Sequence, residues 1–373
     1  MELTDLRTPC VLIDQPRVER NIDRMQAAAN EHGLRLRPHA KTHKSPDLAR
    51  LQIGRGAVGI CCAKLGEAEV FADAGINDIR LPYPLNPANA DRVLRLLNRT
   101  HLSFIVDHMD VARGWSESMV AAGQHVDVLV KVDVGFHRCG IDPNAPDAAD
   151  FVARIAELPG LSFRGLLSHA GHAYAASSES EAASFAAAEA QLLVRLATEV
   201  RAKGVAVEEI SVGATPTVRF SLQQSGLSEL RPGNYIYFDR TQVGLGSATW
   251  DDVALTVLAR VVSRPASDRV ILDCGSKTLT TDLARGFGSN AGYGVVFKSV
   301  DDHTPEATLT IERLSEEHAN VRVTGKSPLK PGDLVRVAPN HSCVVSNLVD
   351  SVWLIKEHEV LDRLEIAARG RIA

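Results

Sequence analysis

From residue 13 to about residue 240, short apolar runs alternate with longer amphipathic ones. The short runs cover 34–40, 58–63, 78–83, 101–107, 126–133, 162–170, 208–214 and 229–239. Each has the length and apolar density of a strand buried on both faces. Between them, apolar positions recur at helical spacing. The clearest case is 182–203, where Leu192, Leu193, Leu196 and Val200 stand among Ala-rich helix formers. Another amphipathic stretch, 17–32, precedes the first strand. About eight strand–helix alternations in about 230 residues is the count and size of a (β/α)8 barrel. No GxGxxG opens a helix after an early strand, and no GxxxxGK occurs, so an open doubly wound nucleotide-binding sheet lacks support.

Beyond residue 245 the texture changes. Short strand-like runs at 253–262, 269–273, 307–313, 321–323, 333–337 and 351–356 are divided by Gly, Pro and Asp turns. The pattern predicts a barrel domain over 13–244 and an all-β domain over 245–373. A strand-like piece at 10–13 predicts that residues 1–12 pack with the second domain.

Composition narrows the function classes. Of 373 residues, 45% are apolar and 23% charged, with a formal net charge of −5, so neither nucleic acid nor a membrane surface is an expected partner. No apolar run reaches the ~18 residues of a spanning helix. The N-terminal residues lack a signal-peptide core, and the six cysteines are scattered, so a reduced, cytoplasmic setting is expected.

The chemistry concentrates where barrel strands end, the face on which such barrels carry their sites. The first strand runs into Arg37-Pro38-His39-Ala40-Lys41-Thr42-His43-Lys44. A lysine crowded by other cationic groups is expected to have a depressed pKa, which an amine needs to form a Schiff base near neutral pH. Later strand ends contribute Arg138, then His169, His172 and Tyr174, then Gly213 and Thr215, then Arg231, Gly233 and Asn234. Backbone amides around Gly213 and Gly233 could cradle a phosphate. In the second domain stands Pro339-Asn340-His341-Ser342-Cys343. On a strand, His341 and Cys343 would share a face, and imidazole plus thiolate is a zinc-favouring pair.

On these motifs, with Val212–Thr217, Arg231–Tyr235 and Asp273–Lys277, the chain resembles a family of fold-type III enzymes. They are the pyridoxal 5'-phosphate (PLP)-dependent D-threonine aldolases and eukaryotic-type D-serine dehydratases, related to the alanine racemase barrel. The resemblance implies that Lys41 carries PLP and His169 packs on its ring. It implies that Arg138 lies near the ring and Arg231 faces the pyridine nitrogen. Gly213, Thr215, Gly233 and Asn234 would hold the phosphate. His341 and Cys343 match a divalent-metal pair beside the substrate. In that family His-x-Cys accompanies zinc and dehydration, and His-x-Asp accompanies manganese and aldol cleavage.

The expected activity is therefore dehydration of D-serine or D-threonine to a 2-oxo acid and ammonia, with zinc favoured over manganese or magnesium. The alternative is retro-aldol cleavage of D-threonine, for which His172 and Tyr174 are candidate bases on the β-hydroxyl. A racemase would need a second base such as Tyr293, and the metal pair would then have no purpose. A non-catalytic PLP-binding barrel would lack the second domain. The resemblance also implies a homodimer.

Overall fold

The computed structural model describes residues 1–288 and 291–373. In chain order, β1 (Cys10–Asp14) opens the fold. A parallel sheet follows, built from β2 (Arg35–Leu36), β3 (Ile60–Cys61), β4 (Asp78–Pro84), β5 (His101–Val106), β6 (Val126–Lys131), β7 (Leu161–Leu167), β8 (Glu209–Val212) and β9 (Glu229–Leu230). Its order, β2-β9-β8-β7-β6-β5-β4-β3, brings the last strand beside the first. The edges β2 and β3 then meet. The Val58 amide donates to the Leu36 carbonyl at 2.9 Å, and the Cys61 amide donates to the Pro38 carbonyl at 2.8 Å. His39 and Cys61 add a parallel bridge. The sheet therefore closes into a TIM-like barrel and leaves no open edge.

Helices between the strands cover the outer face. Their apolar stripes meet the sheet in one core that includes Phe71, Phe104, Trp115, Val128, Val152, Leu193 and Leu196. Burial on both faces is why the barrel strands read as continuous apolar runs. The helices start where capping chemistry permits. Asp14 accepts the Arg17 amide at 3.0 Å ahead of Gln15–Glu31, and Ser178 accepts the Glu181 amide at 3.2 Å ahead of Glu179–Ala202.

Three predicted strands are much shorter than expected, among them 58–63, which pairs regularly only at Ile60–Cys61. The run 34–40 pairs regularly only at Arg35–Leu36, and 229–239 only at Glu229–Leu230. Pro38 and Pro232 lack an amide for the ladder, and the chain turns into the 3-10 segments Ala40–Thr42 and Asn234–Ile236. Lys41 thus sits in a tight turn just past its strand.

The remaining strands are β10 (Leu255–Ala266), β11 (Arg269–Leu272), β12 (Val295–Phe297), β13 (Leu309–Leu314), β14 (Ala319–Val323), β15 (Leu334–Ala338), β16 (Ser351–Lys356) and β17 (Glu359–Glu365). With β1 they form a second sheet. There β1 pairs antiparallel with β10, Val11 opposite Val257, and parallel with β16, Ile13 opposite Leu354. This domain also holds the short helices Ser276–Leu279 and Ser342–Leu348. The second of these corrects the strand expected at the His341–Cys343 motif: His341 is a helix N-cap and Cys343 lies in the first turn.

Candidate active site

A cavity of about 770 Å3 opens at the C-terminal end of the barrel strands, walled on its other side by the β-domain. Lys41, Arg138, His169, Tyr174, Thr215, Arg231, Gly233, Asn234, His341 and Cys343 all line it. Lys41 opens onto the cavity and is half-buried. Burial pulls its amine below the ordinary lysine range. The nearby thiol of Cys343 opposes that shift, and Arg138 and Arg231 add to it. The amine is thereby made a better nucleophile and proton acceptor near neutrality.

Arg231 is buried and held from both sides. Its Nε donates to Ser211 Oγ at 2.8 Å, and a guanidinium NH2 group donates to the Ser168 carbonyl. Ser211 in turn donates to Glu229 Oε1 at 2.6 Å, so a column of hydrogen bonds descends from the cavity into the barrel. His169 Nδ1 donates to the Gly213 carbonyl at 2.5 Å, and its ring meets Phe136 edge-on at 5.8 Å. Burial, and then the charges of Lys41 and Lys131, hold this imidazole well below its usual pKa, so it is neutral. Arg138 is exposed and lies over the Phe136 ring at 5.0 Å.

Gly213 and Gly233 serve by close approach. A Cβ at Gly213 would lie 2.9 Å from the Arg231 backbone; one at Gly233 would lie 3.0 Å from Thr42 Oγ1 and 3.1 Å from the His39 carbonyl. Gly213 itself is not in the cavity wall. Thr215 Oγ1 is buried, at the wall, with no protein partner among the described residues. A buried hydroxyl left unpaired is the kind of group a phosphate oxygen satisfies. The Asn234 side chain cannot do the same. Its Nδ2 donates to Asp239 Oδ2 at 2.7 Å and Ser342 Oγ at 3.0 Å, which leaves its backbone amide, at the start of Asn234–Ile236, for a phosphate.

His341 and Cys343 meet at the helix start. His341 Nδ1 donates to Asp282 Oδ2 at 2.8 Å. Burial alone would lower the His341 pKa, but the Cys343 sulfur, Asp239 and Asp282 raise it to about 10. For Cys343 burial pushes upward, and His341, Lys41 and Thr42 together pull the thiol below its ordinary value. Each partner thus favours the charged form of the other. No group of three or more His, Cys, Asp or Glu side chains able to hold a metal occurs among the described residues. The two donors fit an open site for a soft divalent ion, with Asp282 orienting the histidine as an outer partner.

The two candidate bases separate. Tyr174 is in the cavity wall, with its phenol pushed far above the usual range by burial and then by Cys343 and Asp239. His172 lies outside the cavity lining and packs against Phe185 with ring centroids 4.4 Å apart. Tyr293 also lies outside it, against the β-domain core. Sequence reasoning missed Asp239 and Asp282, isolated carboxylates with no motif around them. It also gave no role to His39 and Thr42, although both stand in the lysine motif.

Residues 13–241 match the alanine racemase N-terminal domain, and residues 254–355 match a serine dehydratase domain. Over 99% of its length the chain is 35% identical to a D-threonine aldolase from Arthrobacter sp, covering 94% of that protein. It is 32% identical to a D-threo-3-hydroxyaspartate dehydratase from Delftia sp. (strain HT23), over 91% of this chain and 92% of that one. The solved structure of the Delftia enzyme superposes with a TM-score of 0.91 at 29% identity over 98% of both chains. A cysteine-to-alanine variant of it in the metal-free form superposes equally well at 28% identity.

Proposed function

We propose a function from one premise: the chain belongs to the fold-type III, PLP-dependent enzymes built on the alanine racemase N-terminal barrel, and it is a lyase of that family. The proposed reaction is dehydration of a D-β-hydroxy amino acid, D-serine or D-threonine, to a 2-oxo acid and ammonia. The observation that carries it is the His341–Cys343 pair in the wall of the Lys41 cavity. The Delftia dehydratase has been solved with a histidine replaced and with a cysteine two positions further on replaced, the latter variant metal-free. That is the spacing of His341 and Cys343.

Bound at Lys41, PLP supplies an electron sink for the carbanion at Cα. Thr215 and the amides of Gly233 and Asn234 would hold its phosphate, and Arg231 its ring nitrogen. Lys41, with its lowered pKa, is the group that takes the Cα proton. His341 and Cys343 would hold a zinc ion, whose Lewis acidity assists departure of hydroxide. Tyr174 stands in the same wall as a protonated phenol and would donate to the leaving oxygen.

Retro-aldol cleavage is the second reading, favoured by the 35% identity to the Arthrobacter aldolase. It needs a base on the β-hydroxyl. His172 is outside the cavity, and the His341–Cys343 spacing matches the pair replaced in the dehydratase, which favours elimination. Product analysis of the PLP-loaded protein with zinc or manganese separates the two. Pyruvate from D-serine, or 2-oxobutyrate from D-threonine, is the expected outcome. Glycine and acetaldehyde from D-threonine would establish the aldolase instead.

A further inference from the structure

Cys343 belongs to the β-domain, but two groups that contact its sulfur come from the barrel. Thr42 Oγ1 lies 3.2 Å from Sγ, and Asn234 Nδ2 lies 3.5 Å from it. A ligand thiolate carries no proton, so the Thr42 hydroxyl is the donor to it; the two Asn234 amide hydrogens go to Asp239 and Ser342, and that side chain packs beside the sulfur and ties down its helix. Each of the two residues is next to a group proposed to hold PLP. Thr42 follows Lys41 within the turn Ala40–Thr42, and Asn234 follows Gly233.

The two segments are wedged together. A Cβ at Gly233 would be 3.0 Å from Thr42 Oγ1, so the two segments lie in close contact. Asn234 reaches further, to Asp239 Oδ2 at 2.7 Å. Asp239 Oδ2 also accepts the Ser342 amide at 3.0 Å and so anchors the first turn of the helix that carries Cys343. An unbroken set of contacts therefore joins the Lys41 turn, the phosphate-side loop and the metal pair.

We propose that Thr42 and Asn234 couple the two sites, so that PLP at Lys41 and a divalent metal at His341–Cys343 each strengthen binding of the other. Thr42 is the positioning residue that carries most of this linkage. The proposal rests on the PLP and metal reading above. Fixing the Lys41 turn aims the Thr42 hydroxyl at the sulfur, and fixing the sulfur holds that turn. Linkage requires the effect to be reciprocal. Contacts of this outer kind are worth about 10- to 100-fold in metal affinity.

The test uses the full chain, titrated with zinc against a chromophoric chelator, with and without PLP. In parallel, cobalt(II) reports thiolate ligation through its charge-transfer absorption. PLP should tighten zinc binding by about 10-fold in the unaltered protein. Thr42→Val should shrink that effect below about 2-fold and perturb the cobalt–thiolate band. Thr42→Ser, which keeps the hydroxyl, should restore both. A zinc affinity that ignores PLP in the unaltered protein overturns the proposal. So does undiminished coupling in Thr42→Val. If zinc does not bind with or without PLP while Lys41 still shows its cofactor absorbance, the metal reading falls and takes the linkage with it.

Discussion

Near the N-terminal ends of the barrel strands, Glu229 is fully buried and richly partnered. It accepts from Arg37 Nε at 2.9 Å, Arg80 NH1 at 2.6 Å and Ser211 Oγ at 2.6 Å. Arg37 also meets Asp78 at 2.5 Å, and Arg80 meets Glu209 at 2.9 Å. Burial would raise the Glu229 pKa, but Arg80 and Arg37 hold it at about 2. At the opposite end, Thr215 Oγ1 and Asn234 Oδ1 are buried without partners among the described residues, and burial lowers the Lys41 pKa. Glu229 at the base is satisfied by the fold; the Thr215 hydroxyl at the mouth has no partner among the described residues. That asymmetry separates stability from function within one barrel.

The comparison can be broken first at the mouth. Lys41→Ala should abolish the visible cofactor absorbance and lower turnover by at least ~10^3-fold, with little change in thermal midpoint. Retained turnover would remove the central claim. At the base, Glu229→Gln leaves two arginines without their shared charge. It should cost about 3–5 kcal/mol in urea unfolding, with cofactor absorbance persisting in whatever remains folded.

Acid should act on the buried groups in sequence. His43, buried beside Gln52 and Ser45, is lowered to about 4 by desolvation. Its proton therefore favours the unfolded chain. The stability it contributes is complete above about pH 6.5 and is lost toward pH 4, at about 1.4 kcal/mol per unit. Glu229 and Asp78, both held at about 2, contribute stability above their unfolded pKa values and lose it as pH falls toward 2. His101 has the opposite sign: raised to about 9 by Asp127 and Asp78, it stabilises below about 6.5 and loses that as pH rises through 9. Thermal midpoints measured from pH 4 to 9 should peak near neutrality, with the acid limb flattened in His43→Gln. An unchanged acid limb in that variant would refute the assignment.

The smallest effect should come from the unpaired hydroxyl. Thr215→Val removes a buried group that bonds nothing among the described residues, so stability should change by less than about 1 kcal/mol. PLP affinity, read by absorbance titration, should fall by about 10-fold. A large loss of stability with unchanged affinity would place Thr215 with the base of the barrel.

How much of this was readable beforehand depended on range. The barrel was legible because strands buried on both faces appear as apolar runs, and helices as a different period. The ends of β2 and β9 were overextended because two prolines, not the apolar pattern, decide where pairing stops. Lys41, Arg138, His169, Thr215 and the Arg231–Gly233 pair come from five separate strand ends, and barrel closure makes them neighbours. His172 and Tyr174 stand two apart in the 3-10 segment Gly171–Ala175, yet one packs on Phe185 and the other reaches the cavity. No spacing rule separates them.

By itself, then, the sequence determined the alternation of elements, the change to an antiparallel domain and the residue types that carry the chemistry, because periodicity and local motifs act over a few residues. Tertiary structure alone decided that Cys343 receives Thr42 from another domain, that Asp282 orients His341, and that the Asn234 side-chain amide is taken up by Ser342 rather than left for a phosphate. Those contacts join residues 59 to 301 positions apart. Hydrogen bonds and charge respond to distance in space, and only the folded chain sets that distance.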